Sequence, residues 1–182
     1  EQALALTEKE SEPTLRARVL EGVGAFYADQ GLPDEAGAQY RQALALWEAR
    51  LGPEHPEVAR RLLSLVELYR IYARYSEAEE LYHKIVDIRT RAFGPAHRDL
   101  VPDLCNLALF YQAQGKHSEA EPLLGRAAEI LESALGPDHV ENAWVLNHLG
   151  KSYDEEGRYD EAEAFYKRAL EICEKTLGAD HP

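Results

Sequence analysis

The chain has 182 residues, of which 45% are hydrophobic and 29% are charged, and its formal net charge is −13. So large an apolar share is enough for a continuous buried core, which excludes an intrinsically disordered chain. The negative charge excludes nucleic acid as a partner unless basic residues form a separate patch. Only residues 57–98 contain more basic than acidic side chains, 8 against 6, and residues 99–182 contain 7 against 17, which favours a partner with positive charge.

An internal repeat with a period of 42 residues organises the chain. Three features recur at this spacing without a slip: a phrase that contains glycine and ends in histidine, a Glu-Ala pair, and a tyrosine. The glycines are Gly52, Gly94, Gly136 and Gly178, the pairs begin at Glu35, Glu77, Glu119 and Glu161, and the tyrosines are Tyr27, Tyr69, Tyr111 and Tyr153. A fixed period predicts stacked units that contact only their neighbours. We divide the chain into residues 1–14, expected to end a preceding repeat helix, and four repeats at 15–56, 57–98, 99–140 and 141–182.

Each repeat predicts two helices joined by a tight turn. The first helix, over residues 56–72 in the second repeat, has Leu65, Val66 and Tyr69 at the spacing of a buried helical stripe. The turn after it requires a left-handed residue, which is glycine in three repeats but Ala73 in the second. We therefore expect backbone strain at Ala73.

The second helix is expected to begin at an N-cap and to end at the glycine of the repeated phrase. The predicted N-caps are Asp34, Ser76, Ser118 and Asp160, and the glutamates that would complete capping boxes are Glu79, Glu121 and Glu163. The histidine of each phrase is expected to cap the next first helix. Successive histidines are too far apart to share one metal ion, because packed helices lie about 8–10 Å apart.

The remaining signals concern compartment and completeness. Cys105 and Cys173 are isolated in sequence, which favours reduced thiols in the cytoplasm. No apolar stretch is long enough to cross a bilayer and no signal peptide opens the chain, so we expect no membrane partner. The chain begins without methionine and ends inside the repeated phrase, as an excised part of a longer protein would.

The recurring residues resemble the tetratricopeptide repeat, in which Leu, Gly or Ala and Tyr mark the first helix and Ala, an aromatic residue and Ala mark the second. In the third repeat, Leu104, Leu107, Ala108, Tyr111, Ala120, Leu124 and Ala127 match these positions. The 42-residue spacing and the closing phrase resemble the kinesin light chain type, whereas the familiar unit has about 34 residues. The resemblance covers residues 15–182. It implies an all-α, right-handed superhelical solenoid of antiparallel helix pairs.

The resemblance also implies where a partner would bind. In this family the first helices line a concave surface that takes an extended peptide or a helix, and asparagines there hold the bound backbone. Carried over position by position, the candidate binding residues are Arg18, Arg60, Ser64, Glu67, Asn106, Leu109, Trp144, Asn147, His148 and Lys151. Glu21-Gly22 and Leu63-Ser64 depart from the family pattern, which weakens the expected peptide grip in the first two repeats.

Several of these residues have a purely structural interpretation as well. Trp144 is either a binding hot spot on the groove wall or a core residue beneath the loop at 137–140. Arg18 and Arg60 either pair with acidic groups of a ligand or are solvated and paired within the chain. Cys105 is interpreted as a small wall residue in preference to a reactive thiol, because no base is fixed beside it by sequence.

These observations predict a protein-interaction scaffold whose concave face binds a peptide segment or a partner domain. The chain contains no phosphate-binding loop, nucleophile elbow, metalloprotease helix or calcium loop, so we expect no enzyme activity, cofactor or metal. The alternative is a structural or regulatory arm that packs within a larger multidomain protein, such as an ATPase or a kinase. Self-association through exposed end helices is a third possibility.

Overall fold

The structure is a computed structural model that describes residues 2–178, with side chains described from Glu12 to Thr176. The fourth copy of the repeated phrase therefore lies largely outside the described residues. The described part contains eight α-helices and a short 3₁₀ turn at Arg98–Leu100. The helices are α1 (Gln2–Asp29), α2 (Pro33–Leu51), α3 (Pro56–Ile71), α4 (Tyr75–Phe93), α5 (Val101–Gln112), α6 (His117–Leu135), α7 (Val140–Glu155) and α8 (Tyr159–Leu177). The predicted all-α class is confirmed, and the predicted helix over 56–72 ends one residue early.

The chain divides into two compact units, unit 1 at residues 1–92 and unit 2 at residues 93–182. In unit 1, α1 packs on α2 and α2 packs on α3. In unit 2, α5 packs on α6, α6 on α7, and α7 on α8. The largest fully buried side chains are aliphatic, among them Leu62, Ile85 and Ile88 in unit 1 and Leu104, Leu107, Leu124, Leu131 and Ile172 in unit 2. Each unit therefore has its own core.

The first helix extends back to the start of the described residues. Helix α1 runs without a break from Gln2 to Asp29 and includes Pro13. Residues 2–14 are thus continuous with the first helix of the first repeat, and no turn separates the two segments.

The turns between the helices have the predicted backbone conformations. Gly31, Gly115 and Gly157 have φ of 73°, 72° and 76°, and Ala73 has φ of 54°. At both Ala73 and Gly115 the residue after the turn donates its backbone N–H to the carbonyl five residues earlier, as in a Schellman motif. Ala73 therefore keeps the same turn as glycine at the steric cost of a left-handed L-residue.

Two glycines inside helices allow an aromatic ring to approach closely. A Cβ atom added to Gly150 would lie 2.8 Å from the ring of Tyr166, and one added to Gly24 would lie 2.7 Å from the ring of Tyr40. No real Cβ makes contacts that short without a shift of the neighbouring atoms. Gly24 therefore allows the close approach of α1 and α2, and Gly150 allows that of α7 and α8.

The predicted capping boxes are wrong. The second helices begin earlier than expected, at Pro33, Tyr75, His117 and Tyr159, so the predicted caps lie inside the first turn. The residues that precede α2, α6 and α8 make no side-chain cap. The physical reason is that each helix follows closely after the left-handed turn residue, and the acids in its first turn act on the helix dipole instead. These acids are Asp34, Glu35, Glu77, Glu119, Asp160 and Glu161.

The histidine caps are confirmed for the three histidines that the structure describes. The Nδ1 atoms of His55, His97 and His139 accept hydrogen bonds from the backbone N–H two residues later, at 3.1, 3.2 and 3.3 Å. Within residues 2–178, no group of three or more His, Cys, Asp or Glu side chains is arranged to hold a metal ion. Among the helices of the described residues, none is long and apolar enough to span a bilayer.

Candidate functional site

The candidate residues of unit 1 lie on α1 and α3, and the charged residues of α3 are already paired. The guanidinium of Arg60 donates to both carboxylate oxygens of Glu57, at 2.6 and 2.9 Å. Arg70 makes the same pairing with Glu67, at 2.7 and 2.9 Å. Arg18 is exposed and Ser64 is half-buried. Arg60 and Glu67 therefore match the interpretation of arginines and acids paired within the chain.

A second network ties α1, α2 and α3 of unit 1 together. Glu21 on α1 accepts a hydrogen bond from the indole N–H of Trp47, at 2.9 Å, and another from Arg61, at 2.9 Å. The guanidinium of Arg61 lies 4.6 Å from the centre of the Trp47 ring. Arg61 also pairs with Glu57. The carboxylate of Glu21 thus holds the core together and is not available to a ligand.

The candidate residues of unit 2 surround an exposed tryptophan. Trp144 on α7 is 44% exposed, and its ring centre lies 4.2 Å from that of His148, one turn along the helix. The Nε2 atom of Gln112 on α5 donates to the His148 carbonyl and to the Ser152 hydroxyl, both at 2.8 Å. The amide oxygen of Gln112 is then left to accept from His148 Nδ1, at 3.2 Å. Trp144 is therefore held on a side chain that α5 fixes in place.

This arrangement also fixes the protonation state of His148. Burial is the main cause that lowers the pKa of His148, and the charge of Lys151 lowers it further. Since Nδ1 donates to Gln112, the neutral ring has its proton on that atom. At neutral pH the support of Trp144 is thus an uncharged aromatic ring, which suits an apolar contact.

An apolar depression of about 290 Å³ lies beside Trp144, between α5 and α7. Its lining includes Val101, Pro102, Leu109 and Asn106, with Cys105 at its base. Cys105 is 6% exposed, and burial raises the pKa of its thiol to about 12. The thiol is thus a neutral wall atom. Trp144 borders this depression, and its 44% exposure shows that it is not a buried core residue.

The structure brings together only part of the predicted set. Asn106, Leu109 and Trp144 surround one depression, and His148 supports the tryptophan. Asn147 and Lys151 are exposed on α7 but are not part of the lining of that depression. Sequence reasoning missed Gln112, which is buried to 9% exposure. The equivalent residues one period away are charged: they are Arg70 and Asp154. The uncharged amide at position 112 was therefore the signal in the sequence that could have identified this residue.

Comparison with a family model shows what kind of repeat this is. The model of the tetratricopeptide repeat matches residues 15–91 and 103–175. These ranges include most of each predicted repeat.

Curated relatives match over a shorter stretch. The chain is 37% identical to nephrocystin-3 of Homo sapiens over 75 residues and 35% identical to nephrocystin-3 of Xenopus laevis over 75 residues. Each match covers 41% of this chain. The match spans only 6% of the length of either relative, so these proteins are much longer than the shared region.

Solved structures match over nearly the whole chain. The crystal structure of a kinesin light chain protein of Podosopora anserina with nearly identical TPR-like repeats is 27% identical, covers 92% of this chain and 79% of its own, and has a TM-score of 0.73. BtubC (BKLC) from P. vanneervenii covers 93% of this chain and 67% of its own, with a TM-score of 0.75. At 22% identity, the second match supports the fold alone. This chain belongs to the tetratricopeptide repeat family, and its 42-residue repeats are of the kinesin light chain type.

Proposed function

We propose that unit 2 binds a peptide segment of a partner protein on the face formed by α5 and α7. Tetratricopeptide repeats are scaffolds for protein interactions, and this general role applies to the family as a whole. The observation that supports this particular face is Trp144, a half-exposed tryptophan beside an apolar depression. Rigid aromatic side chains next to a pocket are the usual centres of binding energy.

The free energy available at Trp144 is large for a single residue. A tryptophan has on the order of 250 Å² of surface, so covering the 44% that is exposed would contribute on the order of 2–3 kcal/mol. Because His148 and Gln112 already hold the ring, little side-chain entropy is lost when a partner covers it. The depression then receives one apolar side chain of the partner.

The amides of Asn106 and Asn147 complete the proposed site. Both side chains are exposed on the two helices that frame the face. An amide has two donors and one acceptor group, so it pairs with the backbone of an extended peptide without selecting a side chain. The proposed division of roles is that Trp144 and the depression select an apolar residue, while the asparagines hold the main chain. Lys151 lies on the same helix and is expected to attract an acidic group of the partner.

A crosslinking pull-down of the full-length protein tests this proposal. The variants are Trp144→Ala and the double change Asn106→Ala plus Asn147→Ala, and quantitative mass spectrometry measures the recovery of each partner. The matched control is Tyr75→Ala, because Tyr75 has the same exposed fraction, 44%, but lies in unit 1. We expect partners to be lost with Trp144→Ala, reduced with the double variant and kept with the control. Equal recovery from all four proteins would refute a partner site at this face.

The alternative function is that of a structural or regulatory arm, which contacts other parts of its own polypeptide. The observation that favours it is that the matched region is a small part of the curated relatives. A photo-crosslinking residue at position 106 separates the two functions in the full-length protein. Crosslinks to a second protein support the proposed docking site, and crosslinks within the same polypeptide replace it with the arm.

Self-association through end helices is a separate possibility that α8 supports. Leu170 is 58% exposed and Tyr159 is 68% exposed on this helix. Exposed apolar side chains on one helix favour pairing of two copies. Light scattering over a dilution series, with Leu170→Glu as the comparison, measures it. A single monomer mass at high concentration would exclude it.

A further inference from the structure

Unit 2 has a second concavity, formed by its second helices. It lies between α6 and α8 and has a volume of about 540 Å³. Leu146 and Leu149 of α7 form its apolar floor, and Phe165 of α8 contributes to one wall. On α6 the wall includes Pro122 and Gly125, and a Cβ added to Gly125 would meet nothing within 4 Å. We call this concavity the α6–α8 groove.

The repeat pattern shows which side chain is missing from the α6–α8 groove. The residues at the position of Gly125 in the other three repeats are Arg41, His83 and Lys167. All three have a nitrogen-bearing side chain that is or can become cationic, and only the third repeat has glycine. The groove is therefore open at a position where the other repeats place a long or basic side chain.

In unit 1 the equivalent arginine shows how a guanidinium uses this position. Arg41 Nη1 donates to the hydroxyl of Tyr69, at 3.3 Å. The same nitrogen lies 3.1 Å from the place where a Cβ of Gly37 would be. The guanidinium thus lies over a glycine of its own helix and against a tyrosine of the next first helix.

Unit 2 has the same positions with the residue types exchanged. Tyr153 is the equivalent of Tyr69, Glu121 stands at the position of Gly37, and Gly125 stands at that of the arginine. In unit 1 the hydroxyl of Tyr69 accepts a hydrogen bond from Arg41. In unit 2 the equivalent Tyr153 is hydrogen-bonded to Glu121 instead. Compared with unit 1, unit 2 therefore lacks the cationic side chain at the position of Gly125 and has the additional carboxylate of Glu121 beside it.

The charges around the α6–α8 groove are unbalanced. Glu121, Glu129, Glu132 and Glu156 line it, together with the single cation Arg158. Arg158 Nη1 lies 3.0 Å from Glu121 and 3.4 Å from Glu156, and it also pairs with Glu161. Burial, and then the hydrogen bond to Glu156, raise the pKa of Glu121. Glu121 and Glu156 thus share one arginine, and a further cation would be favoured beside the four lining carboxylates.

We propose that the α6–α8 groove binds an arginine side chain from a basic segment of a partner protein. The guanidinium would lie over Gly125, donate to the Glu121 carboxylate and the Tyr153 hydroxyl, and cover the apolar floor with its methylene groups. Arginine fits better than lysine because its planar head donates to two acceptors at once and stacks on aromatic rings. Glu129 and Glu132, one turn and two turns further along α6, then favour additional basic residues in the same segment. This site is separate from the face around Trp144.

An NMR titration of the 182-residue chain with a defined probe tests the proposal. The probe is the blocked peptide Ala-Ala-Arg-Ala-Ala, and its control replaces arginine with citrulline, which has the same shape without the charge. We expect saturable shifts of the backbone amides near Gly125 and Tyr153. The citrulline peptide is expected to bind about tenfold more weakly, the usual effect of losing a charged hydrogen bond. Equal binding of the two peptides, or shifts elsewhere only, would overturn the proposal.

Two substitutions at one position separate a filled groove from a misfolded protein. Gly125→Arg restores the pattern of the first repeat and is expected to abolish the shifts, whereas Gly125→Ala leaves the groove open and is expected to bind within twofold of the unchanged protein. Both residues favour helix more than glycine does, so neither change threatens α6. Glu121→Gln removes the charge without filling the space and is expected to weaken binding about tenfold. Unchanged binding by Gly125→Arg would refute the site, and a dimer lost with Gly125→Arg would assign the groove to a second copy of the chain.

Discussion

Replacing glycine with alanine at two positions of unit 2 is expected to change the free energy of unfolding in opposite directions. Gly125 lies within α6, and Gly115 lies in the turn before it with φ of 72°. At both positions a Cβ would meet nothing within 4 Å. Replacing either with alanine therefore changes only the backbone preference of the residue, and packing contributes nothing to the difference.

The expected free energies follow from the backbone conformations. Gly125→Ala is expected to increase the free energy of unfolding by about 0.5–1 kcal/mol, because glycine loses more conformational freedom when a helix forms. Gly115→Ala also lowers the conformational entropy of the unfolded chain, which favours the folded state. However, it places an L-residue in the left-handed region, which costs about 1–2 kcal/mol. The net effect at Gly115 is a loss of about 0.5–1 kcal/mol. Ala73→Gly, the reverse change in the equivalent turn of unit 1, is expected to be stabilising by about the same amount.

Urea unfolding followed by far-UV circular dichroism measures these differences. Because Gly115 and Gly125 lie in the same unit, separate unfolding of the two units does not affect the comparison. For a chain of this size, 1 kcal/mol corresponds to about 2–4 °C in Tm. If Gly115→Ala proved as stabilising as Gly125→Ala, the assignment of a required left-handed turn would be incorrect.

Three further outcomes are expected from particular contacts. Gly150→Ala should reduce the free energy of unfolding by about 1–3 kcal/mol in the same assay, since the new Cβ would lie 2.8 Å from the ring of Tyr166; an unchanged value would contradict this close approach. The pKa of Glu57 is lowered from 4.5 to about 2 by hydrogen bonds from two arginines, so its contribution to stability is present above pH 4.5 and is lost as the pH falls towards 2. Glu57→Gln should therefore weaken the protein at neutral pH and flatten the stability profile across that window, and parallel profiles would contradict it. The raised pKa of Cys105 predicts that iodoacetamide modifies Cys173 first in the folded chain and Cys105 only on unfolding, as followed by mass spectrometry; equal rates would contradict its burial.

The sequence predicted the left-handed turns and the histidine caps because these depend on local chemistry. A left-handed residue at Gly115 and a histidine before each first helix act within a few residues, so a period of 42 residues reveals them. The cap assignments failed for a related reason. Ser118 and Asp160 have typical capping side chains, but the preceding turn already directs the chain into the helix, so both lie in its first turn. Propensity identified the right residue types and placed the helix start too late.

The candidate site was predicted less completely, because it depends on contacts between side chains from different helices. The sequence pattern predicted both Trp144 and Arg60 as binding residues. In the structure, Arg60 is paired within its own helix and Trp144 borders an open depression. Which of these occurs depends on rotamers and on neighbours such as Gln112, which no local pattern specifies.

The sequence by itself determined the fold class, the family and the order of the helices, since the repeat and its turn residues are legible one unit at a time. Tertiary structure alone decided which side chains remain available to a partner. Some arginines pair within their own helix, as Arg60 does, and others pair across helices, as Arg61 does. A glycine such as Gly125 becomes an opening only when the surrounding carboxylates and rings are in place around it.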